Sequence, residues 1–330
     1  MYKIDLVSTP VLERKDFYVR NKITGSNELL RHYVSRDDDG MIVATAVGVT
    51  SFIGKSMPSN PRLEAFKMSF GSETAYWIAL NTMAYYGTLM HMVAEEISQG
   101  ADLTLDDDYI IGMFKLNQYT KEEGGLPEYK EVTLPAQFGE KRKYDIKRFR
   151  RDALAIYQFF QDVESNIFSE KAEKQSLTLV GVESTFSDFI AGYAGTADFI
   201  FRYEYTIKKK EFVEYHIFDL KTGANHYLSH ALQQNAYISM VKKHFNTKLV
   251  YAWCVHMKDY KQGTLTKYLN GTSKMTPYNV VKIEQNEEEL NHYLRTYKMN
   301  YSMPKTNVKE INYSKKLSEI TEQIKGEQKK

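Results

Sequence analysis

Between Ser176 and Thr222 three runs rich in Val, Ile, Phe and Tyr follow one another: SLTLVGVEST, GTADFIFRYEYT and EFVEYHIFDLKT. Such density of β-branched and aromatic residues marks strands, and IKKKE turns the chain between the last two. Apolar spacing predicts helices on either side. One runs from Ser72 to Ser98 through Trp77, Ala79, Leu80, Met83, Leu89, Met90, Val93 and Ile97, and one passes through Phe160 and Val163. Another covers about His230 to Phe245, and the last is EEELNHYLRTYKM. Two further strands, KLVYAWCVHM and YNVVKIEQ, lie among them. The order helix, three strands, helix, strand predicts an α/β fold with a mixed central sheet flanked by helices.

The remainder is less regular. ELLRHYVS and MIVATAVGV form a hairpin around RDDDG, where Gly40 supplies the positive φ of a tight turn. The rest of residues 1–71 reads as an extended lead-in packed on the core, with TSFIGKSMPSNPR as a loop containing two prolines. Residues 101–140 are polar and irregular and read as an insertion loop within a core of residues 72–300. Residues 301–330 read as a charged helical tail.

Composition narrows the class without naming it. Lys+Arg 44 against Asp+Glu 42 gives a formal charge of +2, which leaves the question of a polyanionic partner to local clustering. The basic cluster GEKRKYDIKRFRRD includes Lys141, Arg142, Arg148 and Arg151, and Lys208 and Lys209 lie in the strand turn. A run of this kind is most often a solvated helix start, with a nucleic-acid-facing patch as the second reading. The single cysteine, Cys254, excludes an internal disulfide and any all-cysteine metal or iron–sulfur site. No apolar run reaches membrane-span length and no signal-peptide core opens the chain, which predicts a cytoplasmic protein with no membrane partner.

The segment HIFDLKTG holds the main anomaly. Asp219 and Lys221 are two apart and share one strand face, where charge is rare unless it is paired or binds something. If the strands pair through IKKKE, Asp198 reaches the same end of the sheet as Asp219. Two adjacent carboxylates repel unless a cation bridges them, and a hard divalent ion with oxygen ligands, including the Leu220 carbonyl, resolves the conflict. Lys221 beside such an ion stabilises charge on a phosphorus under attack. Alone, an Asp-x-Lys triplet is most often a surface ion pair.

Three further features accompany it: Gly87 with His91 on the long helix, Gly195 with Asp198, and Gln233 with Tyr237 one turn apart on the following helix. In this order the motifs resemble the RecB-like branch of the PD-(D/E)xK nuclease superfamily over about residues 87–237. AVGVTSFIGKSMPSN is similar to a segment of phage exonucleases related to the mitochondrial genome maintenance exonuclease. The resemblance implies a restriction-endonuclease-like core and a metal-dependent DNA exonuclease acting in recombination, repair or replication. It also implies one or two Mg²⁺ or Mn²⁺ ions on His91, Asp198, Asp219 and the Leu220 carbonyl, with Lys221 catalytic and products ending in 5′-phosphate and 3′-hydroxyl. Glu183 matches an acid often found on the preceding strand. Thr222, Gln233 and Tyr237 would line the DNA path, and Lys141, Arg142, Arg148, Arg151, Lys208 and Lys209 would meet its backbone. The four-cysteine clamp of some relatives is missing, so no iron–sulfur cluster is expected, and no GxxxxGK[ST] loop is present. Partners would be DNA and replication or recombination proteins, in a bacterial host cytoplasm if the chain is phage-encoded. An endonuclease on the same core, an inactive DNA-binding protein and a metabolic α/β enzyme are the alternatives.

Overall fold

A computed structural model describes residues 2–9, 12–58, 61–101, 146–223, 227–257 and 276–302. In chain order the strands are β1 (Lys3–Ile4), β2 (Glu13–Arg20), β3 (Asn27–Arg36) and β4 (Ile42–Gly48), followed by helices α1 (Val49–Ser56), α2 (Pro61–Met68), α3 (Glu73–Ser98) and α4 (Ile146–Ile167). Next come β5 (Glu173–Asp188), β6 (Tyr193–Ile207), β7 (Lys210–Lys221), α5 (Leu228–His244), β8 (Val250–Met257), β9 (Tyr278–Lys282) and α6 (Glu287–Asn300). The strands make one 9-stranded mixed sheet in the order β2-β3-β4-β6-β7-β8-β9, with β5 pairing β6 and β1 pairing β5. The β4–β6, β7–β8 and β1–β5 pairs are parallel and the others antiparallel.

Helices cover both faces, as a sheet with long apolar strands requires. On one face α1, α5 and α6 bring Val49, Phe52, Leu232, Ala236, Leu290 and Tyr297 against Ala197, Ile200 and Ile217. On the other, α3 and α4 bring Leu89, Met90, Val93, Phe149, Ile156 and Phe159 against Phe199, Phe201, Phe218 and Leu220. Phe159 stacks edgewise or tilted on Phe160, Phe218 and Tyr278 and is 1% exposed. Truncating such a ring to Ala costs about 3–5 kcal/mol.

The partners of β6 change part-way along one edge. Its Tyr193 and Ala194 pair with Val47 and Gly48 of β4, whereas Phe199 onwards pairs with β7. Between these ladders, Gly195 to Asp198 have no paired strand on that edge among the described residues. The chain leaves β4 for α1 at Val49 and leaves β7 at Lys221, so the sheet forks here.

The N-terminal segment differs from the expected lead-in. ERKDFYVR forms β2, and β2, β3 and β4 extend the central sheet. TSFIGKSMPSNPR is not a loop throughout: residues 50–56 lie in α1 and residues 61–62 open α2, with Pro61 at a first helical position, where its missing N–H costs nothing. Val49, Phe52 and Ile53 have helical spacing and are buried, and Phe52 lies 6.4 Å from Tyr297 of α6. Tertiary burial thus overrides the β-branched, glycine-containing local sequence. Residues 102–140 of the expected insertion, and the tail from 303, lie outside the described residues.

Candidate active site

The long helix α3 is capped by Ser72, whose side chain accepts from Ala75 N at 3.1 Å, and aims His91 at the fork. His91 Nδ1 lies 3.2 Å from Glu183 Oε1 and 3.5 Å from Asp198 Oδ2. Its Nε2 lies 3.2 Å from the Leu220 carbonyl oxygen. Asp198 Oδ2 also accepts from Leu220 N at 2.7 Å, which ties the start of β6 to the end of β7. Glu183 reaches the cluster from a left-handed backbone, φ 42°, just after a register shift between Leu179 and Gly181 of β5. That conformation costs a non-glycine residue roughly 1–2 kcal/mol, and strain of this kind gathers at functional sites.

Asp219 and Lys221 project beside this group from β7. Lys221 Nζ lies 2.6 Å from Asp219 Oδ2 and donates to Gln233 Oε1 at 3.1 Å. Gln233 Nε2 in turn donates to the Tyr237 hydroxyl at 2.9 Å. The Tyr237 ring rests on Gly195: a Cβ there would sit 2.7 Å from Tyr237 Cε1 and 3.2 Å from Val49 Cγ2. Gly87 is not under the same constraint, since a Cβ there would meet Thr222 Oγ1 at an ordinary 3.9 Å.

Charge is concentrated and balanced. Burial pushes the Asp198 carboxyl up to about 7, with Asp219 and Glu183 adding to the shift against His91. Burial disfavours the His91 imidazolium, but Asp198, Glu183 and Asp219 together carry it up to about 9. Burial likewise opposes the Lys221 ammonium, and Asp219 and Asp198 more than offset it, holding its pKa above the usual lysine value. Burial and nearby Asp219 raise the Cys254 thiol, which therefore stays protonated and inert.

The residues fit a divalent cation. One ligand atom each from His91, Glu183 and Asp198 lies within 4.8 Å of the others. Adjacent ligands of an octahedral ion with bonds of about 2.1 Å stand about 3 Å apart, close to the separations of 3.2 and 3.5 Å at His91 Nδ1. One imidazole among carboxylates and a carbonyl suits Mn²⁺ or Mg²⁺. Asp219 stands outside that triad, its Oδ2 against Lys221, and Glu183 stands inside it.

The basic residues are arranged differently from expectation. Arg148 is 8% exposed, its Nε 3.3 Å from Asp152 Oδ2 and its guanidinium 5.2 Å from the Tyr86 ring centroid. Arg151 Nε lies 3.1 Å from Asp152 Oδ1, and the Tyr86 hydroxyl donates to Asp152 Oδ2 at 2.6 Å. Arg148 and Arg151 therefore neutralise a buried aspartate between α3 and α4 instead of lining a phosphate track. Lys208 and Lys209 sit on the β6–β7 turn, about 30 Å along the strand from Asp198 at roughly 3.3 Å per residue. They are therefore not contacts at this site. Lys141 and Arg142 lie outside the described residues. Sequence spacing missed Arg14, Tyr33 and Thr196, which meet near the fork: Arg14 Nη2 donates to Thr196 Oγ1 at 3.1 Å across 182 residues. No local pattern signals such a contact.

No family model and no curated protein matches the chain. A solved structure described as "Crystal structure of SSO0001" is similar at 13% identity over 59% of this chain and 89% of that one. Its TM-score of 0.22 is too low to bear on fold detail or function.

Proposed function

We propose that this chain is a Mg²⁺- or Mn²⁺-dependent deoxyribonuclease with a restriction-endonuclease-like core, acting as an exonuclease in DNA recombination, repair or replication. The observation that carries this reading is the meeting of His91, Glu183, Asp198, Asp219 and Lys221, supplied by α3, β5, β6 and β7, at the fork of one sheet. His91 through Nδ1, Glu183 and Asp198 would hold the ion, with Asp219 beside them against Lys221 and the Leu220 carbonyl accepting from the other ring nitrogen of His91. Bound there, it would supply Lewis acidity to a phosphoryl oxygen and lower the pKa of the attacking water.

The chain's own groups do the rest. Lys221 stays protonated and is held on two sides, by Asp219 and by the Gln233–Tyr237 relay, so its ammonium is fixed before substrate arrives. A preorganised cation of this kind lowers the barrier because it need not reorient as charge builds on the phosphate. The exonuclease form follows the likeness of residues 46–60 to phage exonucleases. Among the described residues no helix is long and apolar enough to cross a membrane, and the partner proposed is DNA.

The test is incubation of the protein with end-labelled single-stranded DNA, duplex DNA and a closed circle, in Mn²⁺, in Mg²⁺ and in chelator. Shortening of linear DNA with the circle intact, abolished by chelator, is the expected result. Nicking of the circle would replace the exonuclease reading by an endonuclease, and intact DNA in all ions would refute a nuclease.

A further inference from the structure

Arg14 is exposed on β2 and meets a hydroxyl and an aromatic ring, with no carboxylate partner among the described residues. Its guanidinium lies 5.7 Å from the Tyr33 ring centroid and donates to Thr196 Oγ1 at 3.1 Å. Thr196 Oγ1 also meets the Tyr33 hydroxyl at 3.3 Å and Thr185 Oγ1 at 3.1 Å. Four strands, β2, β3, β5 and β6, thus fix one arginine head. A guanidinium has five N–H donors, so most of its donor capacity remains for a ligand.

Its position relative to the acids is set by register. Thr185 pairs with Thr196 across β5 and β6. Thr185 stands two residues from Glu183 and Thr196 two from Asp198, a step of about 6.6 Å along a strand. That step is comparable to the distance from one phosphate to the next along a nucleic-acid strand. A strand that meets Lys221 at one phosphate is fixed in register by a second cation on the neighbouring phosphate. A guanidinium fork suits that phosphate, since it can donate two parallel hydrogen bonds.

We infer that Arg14, steadied by Thr196 and Tyr33, is a positioning residue that grips the phosphate adjacent to the scissile one in a DNA strand. The inference rests on the nuclease reading above and makes the N-terminal strands part of the substrate groove.

The experiment measures equilibrium binding of a fluorescent single-stranded oligonucleotide in Ca²⁺ across a salt series. It compares the parent, Arg14→Ala and Arg14→Lys, with Mn²⁺ affinity as the control for an intact fold and cluster. A second oligonucleotide series carries a neutral methylphosphonate at one phosphate at a time. Arg14→Ala should bind about tenfold more weakly, as loss of a charged hydrogen bond near the surface implies. Its slope of log affinity on log salt should fall by about 0.7, one single-strand phosphate contact. It should also be indifferent to the one methylphosphonate that weakens the parent, whereas Arg14→Lys should keep the parent's slope. A parent that cleaves DNA while Arg14→Ala matches its affinity and slope would overturn the role of Arg14 and leave the nuclease reading standing. Loss of Mn²⁺ binding in Arg14→Ala would show a structural role and overturn it too. A parent that neither binds nor cleaves DNA would overturn both.

Discussion

Loading the cluster with a divalent ion should eject a proton from His91. Each ring nitrogen faces an acceptor, Glu183 on one side and the Leu220 carbonyl on the other, which is the environment of an imidazolium donating from both nitrogens. Its pKa is carried up to about 9. Only the neutral ring can bind a metal. Two pH units below that pKa, deprotonation costs about 2.7 kcal/mol at 1.36 kcal/mol per unit. The His91 side chain keeps 30% of its surface, so solvent screening trims this to about 2 kcal/mol, or roughly 30-fold in affinity. The sign follows: Mn²⁺ affinity rises with pH between 7 and 9 and levels off above. Below pH 7 it falls more steeply, because Asp198, up to about 7, must ionise as well. Titration calorimetry at pH 7.5 in buffers of differing ionisation enthalpy should count about one proton released per ion by the parent. Proton-free binding by the parent, or an affinity flat from pH 7 to 9, would refute the reasoning.

Gly195→Ala drives a Cβ to 2.7 Å from a Tyr237 ring that is only 3% exposed, so urea unfolding should show a loss of about 1–3 kcal/mol. Unchanged stability would mean the ring can retreat. Glu183→Gly removes a ligand from a left-handed backbone; thermal unfolding should show a gain of about 1 kcal/mol while Mn²⁺ affinity drops. A fall in both would deny the strain. Asp152→Ala leaves Arg148 buried without its aspartate and should cost about 3 kcal/mol with the salt slope of DNA binding unmoved. A steeper slope, from guanidinium groups freed to meet phosphates, would return Arg148 and Arg151 to the DNA path.

What could be read before the structure depended on how far each signal extends along the chain. The strands of residues 176–222 and the helix from Ser72 to Ser98 are long enough for their periods to speak, and they appear as β5, β6, β7 and α3. The strand β2 did not, because only Phe17 and Val19 of ERKDFYVR are buried and the four charged residues that precede them resemble a loop. In α1, eight residues with a glycine carry too little helical pattern to outweigh their neighbours. At the site, the motif order pointed to His91, Asp198, Asp219 and Lys221, and the fold draws them together. Arg14 and Thr196 meet through sheet topology alone. The basic run misled because a count of charges does not say which side of a helix they occupy, although Asp152, four residues after Arg148, was visible as its partner.

The most direct test of the central claim compares hydrolysis of 5′-labelled single-stranded DNA in Mn²⁺ by the parent and by Lys221→Ala, both shown to bind the oligonucleotide. Cleavage by the parent, with loss of at least about 100-fold in the variant and little change in binding, is the predicted result. Equal hydrolysis by the two proteins, or none by the parent, would contradict the account.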